Sequence, residues 1–329
     1  MTTPVQPAVL LPREAARWQD YVSLLKPRVM SLVVFTALTG MVCAGAGAMN
    51  PILAAVAVLC IAAGAGGSAA LNMAYDADID ALMRRTRHRA IPAGRVQAAD
   101  ALALGIVLSL FSVGIMGLAV GWLAAGLLAF TILFYAVVYT LWLKRRTPQN
   151  IVIGGLAGAL PPAVGWAAAS GHAPLNAWLL VAIVFFWTPP HFWALSLYTS
   201  GDYAQAGVPM MPVVRGAAST RRQILAYTLV LAPLGLTPAF TGLGGPIYLA
   251  VAAVGGLALV ALAARLALSH AGDPAPPLPT DRREGLYDVR IAARPARDLF
   301  AGSLFYLFGL FAALLVEHTP LMAWLGQGR

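Results

Sequence analysis

A chain of 329 residues that is 60% hydrophobic and only 11% charged has too little polar surface to enclose a water-soluble core. A soluble globular fold is therefore excluded, and the bilayer is the natural solvent. The net charge of +9 acts first as a topology signal, because the basic residues are unevenly placed along the chain.

Taken in order, residues 29–75, 101–143, 147–201 and 223–264 contain no Asp, Glu, Lys or Arg. Each run is long enough for two spans of about 20 residues, and 299–316 holds one more. Turn signals split the four long runs near Gly45–Pro51, Gly121–Trp122, Ser170–Pro174 and Gly242–Pro246. Helices are thus expected near 29–49, 51–72, 99–120, 122–143, 151–170, 176–198, 223–242, 247–268 and 299–318. No strand alternation competes with them, and apolar runs of this length do not suit an outer-membrane barrel. The expected class is all-α, a polytopic integral membrane protein of about nine transmembrane helices. It comprises a tail at 1–20, one membrane domain at 21–318 and a short tail at 319–329.

Residues 1–17 lack the pattern of a secretory signal, so the first helix serves as its own targeting element. Every basic residue except Arg329 lies before the first helix, in the connections 2–3, 4–5, 6–7 and 8–9, or at the flanking Arg265. The positive-inside rule puts the N-terminus and those connections in the cytoplasm, and an odd helix count puts the C-terminus on the other side. Cys43 and Cys60 fall inside spans, where they read as packing residues. The Pro-rich stretch 273–279 reads as a stiff connector within one loop.

The chemistry is concentrated where the second helix reaches the cytoplasm. Three of only 13 acids, Asp76, Asp78 and Asp80, fall within five residues and follow Asn72. On a helix Asn72, Asp76 and Asp80 share one face, whereas Asp78 points about 200° away from Asp76. Carboxylates so close repel one another unless a hard cation intervenes. Mg²⁺ is usually held by one or two carboxylates together with substrate phosphates. The arginines just downstream fit the same reading, since guanidinium forks match the oxygens of a diphosphate. Asp202 follows the sixth helix as Asp76 follows the second.

These residues resemble the NxxxDxxxD motif of the UbiA superfamily of intramembrane prenyltransferases. Supporting motifs are Lys26-Pro-Arg28, Leu143-Lys-Arg-Arg146, Gly158-Ala-Leu-Pro-Pro162, Trp187-Thr-Pro-Pro-His-Phe-Trp193, and Asp202-Tyr203 with Gly207-Val-Pro-Met-Met-Pro-Val-Val214. They span residues 21 to about 316. Many members carry a second DxxxD after the sixth helix, but here the position four beyond Asp202 is Ala206. That loss is similar to the haem-using branch and leaves Asp202, with Gln205 or water, as a thin second half-site.

The resemblance implies a UbiA-type bundle with a central cavity opening near the cytoplasmic face of a bacterial inner membrane. It implies Mg²⁺ as cofactor, farnesyl diphosphate as donor and haem B as a substrate rather than a cofactor. Water adds in the transfer, and haem O passes onward to a haem A synthase or to terminal oxidase assembly. Asn72, Asp76, Asp80 and Asp202 are the expected catalytic, metal-bridging set, with Asp78 in the outer shell. Lys26, Arg28, Arg85, Arg89, Lys144 and Arg145 are candidates for the diphosphate, and Phe134, Tyr135, Tyr139, Trp166, Trp187 and Trp193 for facing an allylic cation. Of the five histidines, His191, inside a span, and His88, among the arginines, are candidates for haem. No nucleic-acid partner is expected. Two alternatives stay open: transfer to an aromatic acceptor such as 4-hydroxybenzoate, and a membrane transporter.

Overall fold

The structure, a computed structural model, describes residues 16–45, 49–273 and 293–319. The Pro-rich 274–279 and most of the two expected tails lie outside the described residues. Among the described residues all regular structure is helical.

The chain enters through α1 (Trp18–Leu24) and α2 (Pro27–Cys43), bent by 49° to each other. At the bend Lys26 has φ 49°, ψ 61°, a left-handed conformation that costs a non-glycine residue about 1–2 kcal/mol. Pro27 follows in the first turn of α2, where its missing N–H is no loss. Next come α3 (Pro51–Tyr75), the short α4 (Ala77–Leu82), and α5 (Ala98–Ile115), which ends in a π-helical turn at Met116–Val120. Then follows α6 (Trp122–Leu133), whose second half, Phe134–Leu143, is wholly π-helical. The fifth expected helix is broken at Leu160 into α7 (Asn150–Ala159) and α8 (Pro161–Ser170), because Pro161 and Pro162 cannot donate into the preceding turn. The long α9 (Leu175–Tyr198) continues through Pro189 and Pro190. After α10 (Ser200–Gln205) and α11 (Met211–Arg215), the chain completes α12 (Ala217–Phe240), α13 (Pro246–Ala267) and α14 (Arg294–Glu317).

Among the described residues eight helices, with α7 and α8 taken together, are long and apolar enough to span a membrane, and the bent pair α1–α2 makes up to nine. The expected count holds on those terms, but several ends move. The first expected helix stops at Cys43, only 17 residues from Pro27. Helices α12 and α14 start earlier than expected, at Ala217 and Arg294, and carry Arg221, Arg222, Arg297 and Asp298 in their first turns. A charge-free criterion clips helices whose ends continue into the polar interface.

Between membrane helices burial of apolar surface gives little drive, so close backbone approach matters more. Helix α2 lies against α8, where a Cβ on Gly40 would stand 2.1 Å from the Pro162 carbonyl oxygen and one on Gly165 would stand 1.9 Å from that of Ala37. Helix α3 packs on α5, α9 on α12, and α12 on α13. Helix α14 packs on α13 and α9 and returns to α2, where Phe308 stacks on Phe35 at 4.8 Å. At its far end Glu317 accepts hydrogen bonds from the backbone N–H groups of Gly245, Ile247 and Tyr248 at 2.6–3.0 Å, and so caps α13 from the neighbouring helix.

Candidate active site

The acidic face forms at the junction of α3 and α4. The helix breaks at Asp76 (φ −86°, ψ 7°), yet the Asp76 N–H still bonds the Asn72 carbonyl at 2.9 Å and the Asp80 N–H that of Asp76 at 2.8 Å. One-turn spacing survives the break. Asn72, Asp76 and Asp80 are consequently stacked and buried, at 3%, 0% and 3% exposure, whereas the Asp78 side chain is 63% exposed.

Cations from three other segments converge on that face. Lys144, just past α6, contacts Asp76 Oδ2, which also accepts from Asn72 Nδ2 at 2.6 Å. Lys26 Nζ, turned inward at the α1–α2 bend, donates to Asn72 Oδ1 at 2.8 Å. Arg89, from the α4–α5 connection, donates to Asp80 Oδ2 at 2.6 Å. Arg145 holds Asp78 through two bonds of 2.7 Å, donates to the Tyr75 carbonyl, lies 4.6 Å over the Tyr75 ring and stands 3.8 Å from Asp76 Oδ1. Its hydrogen bonds hold the Asp78 carboxyl below the usual carboxylate range.

The π-helical half of α6 explains how Thr140 and Lys144 share this face. Thr140 Oγ1 bonds back to the Tyr135 carbonyl at 2.8 Å, and the Lys144 N–H bonds to that of Tyr139 at 2.9 Å, both five residues back. Thr140 Oγ1 then accepts from Asn72 Nδ2 at 3.1 Å. The sequence reading missed Thr140, and Thr86, which donates to the Asp80 carbonyl at 2.9 Å. Neither is part of a recognisable spacing.

Other expected residues stand elsewhere. Arg28 and Arg85 are exposed, and neither side chain forms a hydrogen bond or ion pair among the described residues. His88 is exposed beside Arg87, and its carbonyl accepts from Arg95 at 3.2 Å. Asp202 is half-buried on α10 in an open pocket with Arg84, Tyr198, Thr199, Gly201 and Gln205. It is not drawn into one cluster with Asp76 and Asp80. Among the described residues no three His, Cys, Asp or Glu side chains are grouped closely enough to hold a metal.

His191 is buried on α9, stacked between Trp187 at 4.2 Å and Phe300 at 4.3 Å. Its Nδ1 lies 2.8 Å from Ser303 Oγ, which itself donates to the Phe300 carbonyl at 2.8 Å. The Ser303 proton being used there, Nδ1 donates and Nε2 keeps its lone pair. Trp187 Nε1 donates to the Ser303 carbonyl at 2.6 Å. Tyr135 and Tyr139 stack at 5.3 Å near the acidic face, Phe134 packs on Phe130 instead, and Trp166 and Trp193 are buried in the core.

The donor set fits a hard divalent cation. Asp76 Oδ1 is fully buried and accepts no hydrogen bond, a condition that costs a polar atom about 1–3 kcal/mol unless something else meets it. The remaining donors are carboxylate and amide oxygens, the ligand type that Mg²⁺ takes.

Fold and site together define an intramembrane prenyltransferase architecture, and residues 33–278 match the model of the UbiA prenyltransferase family. The chain belongs to that family and, with eight to nine apolar spans among its described residues, is a multi-pass membrane protein. It is 65% identical over 321 residues to the protoheme IX farnesyltransferase of Caulobacter vibrioides, covering 96% of this chain and 94% of that one. It is 54% identical to that of Brucella anthropi, over 98% and 96% of the two chains. Among solved structures, a digeranylgeranylglyceryl phosphate synthase superposes with TM-score 0.69 at 14% identity, covering 90% of this chain and 98% of that one. A UbiA homologue from Archaeoglobus fulgidus bound to DMAPP and Mg²⁺ superposes with TM-score 0.58 at 15% identity, covering 90% and 99%. These two likenesses show the fold. Neither the aromatic-acceptor alternative nor the transporter is favoured by any of these similarities.

Proposed function

We propose that the protein transfers the farnesyl group of farnesyl diphosphate to a vinyl group of haem B, with addition of water, giving haem O and diphosphate. The observation that carries this reading is the 65% identity, over nearly the whole chain, with a protoheme IX farnesyltransferase. The buried Asn72–Asp76–Asp80 face ringed by cations supplies the chemistry.

The hard step is ionisation of an allylic C–O bond away from bulk water, with negative charge gathering on the departing diphosphate. Lys26, Lys144, Arg89 and Arg145 already point at one place, so they stabilise that charge with little reorganisation when they exchange carboxylate partners for phosphate oxygens. Mg²⁺, held by Asn72, Asp76 and Asp80, with Asp202 joining through the diphosphate and Asp78 in the outer shell, would supply further positive charge to the same oxygens. Arg28 and Arg85 act at the rim, drawing the anion in. The stacked Tyr135 and Tyr139 offer π faces to the allylic cation next to the carboxylate face.

In this reading the acceptor approaches from the α9–α14 side, where the His191 Nε2 lone pair is available to haem iron; His88 contributes only at the outer loop. The N-terminus and the basic end face the cytoplasm of a bacterial inner membrane, the C-terminus faces the opposite side, and the product is handed to a haem A synthase or to oxidase assembly. Purified protein incubated with farnesyl diphosphate, Mg²⁺ and either haem B or 4-hydroxybenzoate tests the assignment by mass spectrometry. Haem O is the expected product; prenylated hydroxybenzoate without haem O would overturn it.

A further inference from the structure

The end of α9 and the start of α14 carry a second cationic feature that the diphosphate chemistry does not use. Arg297, in the first turns of α14, is exposed and lies 5.4 Å over the ring of Tyr198, the last residue of α9. Arg84, from the α4–α5 connection, lines the open pocket of which Tyr198 is also a wall. Neither guanidinium has a carboxylate partner among the described residues, so, like Arg28 and Arg85 and unlike the paired Arg89 and Arg145, both are free there to meet an anion. Behind Tyr198 an aromatic column runs inward: Phe300 meets Tyr198 edge-on at 6.4 Å and stacks on His191, which stacks on Trp187.

The arrangement is amphipathic along one line, with two guanidinium groups that have no carboxylate partner among the described residues at the polar end and a column of aromatic rings leading inward. A flat, conjugated ligand with carboxylates on one edge and an apolar opposite edge matches both ends. Guanidinium groups are the side chains suited to paired recognition of carboxylates, and the aromatic column, whose rings stack on one another, offers an apolar wall to the macrocycle's other edge. Asp202 shares the pocket with Arg84 and opposes an anion there, so Arg297, which is not among the residues lining that pocket, carries the larger share of the carboxylate binding.

We infer that Arg297, over the Tyr198 ring, and Arg84, in the pocket that Tyr198 walls, bind the two ring carboxylates of the tetrapyrrole acceptor and so set which edge of the macrocycle enters the bundle. This rests on the haem-farnesylating reading above. It makes Arg297 a substrate-binding residue for the acceptor alone, while Arg84 shares the pocket of Asp202, where the acceptor's mouth borders the diphosphate site.

The test compares two probes on full-length protein in nanodiscs: haem B, and its dimethyl ester, in which both carboxylates are masked. Binding is followed by the Soret shift and by tryptophan quenching, and farnesyl diphosphate binding with Mg²⁺ is measured in parallel. Wild type is expected to prefer haem B over the ester by about tenfold or more, consistent with one to two charge-assisted pairs. Arg297→Ala removes most of that preference by weakening haem B alone, Arg297→Lys restores part of it, and Arg84→Ala has a smaller effect of the same kind. Farnesyl diphosphate affinity stays unchanged in both Arg297 variants. Haem B preferred equally by wild type and Arg297→Ala would overturn the assignment while leaving the function intact. A wild-type protein that binds neither tetrapyrrole would overturn the functional reading and the assignment together.

Discussion

Lys144 and Asp76 form an ion pair across the basic end of the bundle, on the carboxylate oxygen that Asn72 also engages, while the other oxygen of Asp76 is buried without a hydrogen bond. The site is therefore incomplete by itself, with a cation on one side of a carboxylate and an open acceptor on the other. Lys144→Met leaves Asp76 without its closest cation, and breaking a buried pair costs about 3–5 kcal/mol in general. The expected result is reduced thermal stability in detergent together with at least about tenfold weaker farnesyl diphosphate binding, since one charge-assisted contact is lost. Lys144→Arg should recover part of both. Unchanged diphosphate affinity in Lys144→Met would remove Lys144 from the site.

Asp78 and Asp80 separate position from composition. Both are acids of the same short helix, but Asp80 is buried against Arg89 and Asp78 is largely exposed against Arg145. Asp80→Asn should lower turnover by about a hundredfold or more, the scale of losing a group that stabilises transition-state charge. Asp78→Asn should retain most activity. Initial rates of haem O formation decide the matter, and equal losses in the two variants would contradict the face assignment.

Much of this face was legible because one-turn hydrogen bonds persist through the break at Asp76, so helical spacing located Asn72, Asp76 and Asp80 together even though the helix is not continuous. Lys26, Lys144, Arg89 and Arg145 were named with it as diphosphate candidates, but which of the basic residues converge on the face was not legible, and Thr140 was not seen at all. Lys26 arrives through a left-handed residue before a proline, and Thr140 and Lys144 through a π-helix whose extra residue per turn leaves no mark in an apolar run. Motif membership placed Arg28, Arg85 and His88 on an equal footing with Arg89, but only packing separates an inward guanidinium from an outward one. Ser303, which sets the His191 proton, lies over a hundred residues away in sequence, with nothing nearby to flag it. Helix ends slipped for a simpler reason: spans tolerate charge in their terminal turns, as Arg221 and Arg297 show.

Two glycines of one motif region should behave in opposite ways. Gly165 sits where a Cβ would fall 1.9 Å from the Ala37 carbonyl, while at Gly158 a Cβ meets nothing within 4 Å. Gly165→Ala must push α8 away from α2, and overpacking of this kind costs about 1–3 kcal/mol or more. Fluorescence-detected size exclusion after heating should show Gly165→Ala clearly destabilised and Gly158→Ala close to wild type. The reverse order would disprove the α2–α8 contact.

Glu317 supplies a test at the opposite end of the bundle. Its carboxylate accepts three backbone N–H groups of the first turn of α13, and loss of such charged capping costs about 1–3 kcal/mol. Glu317→Ala is expected to lower the melting midpoint in detergent without changing the KM for farnesyl diphosphate. A changed KM with an unchanged midpoint would show that this end of α14 communicates with the site rather than merely closing the bundle.

The central claim is that the Asn72–Asp76–Asp80 face binds a prenyl diphosphate through a divalent cation. Isothermal titration of farnesyl diphosphate into wild type and Asp76→Asn, each with Mg²⁺ and with EDTA, addresses it most directly. Wild type should bind with Mg²⁺ and lose at least about tenfold affinity in EDTA, and Asp76→Asn should bind weakly in both conditions. Equal affinity with and without Mg²⁺ in wild type, or a full Mg²⁺ response in a folded Asp76→Asn, would contradict it.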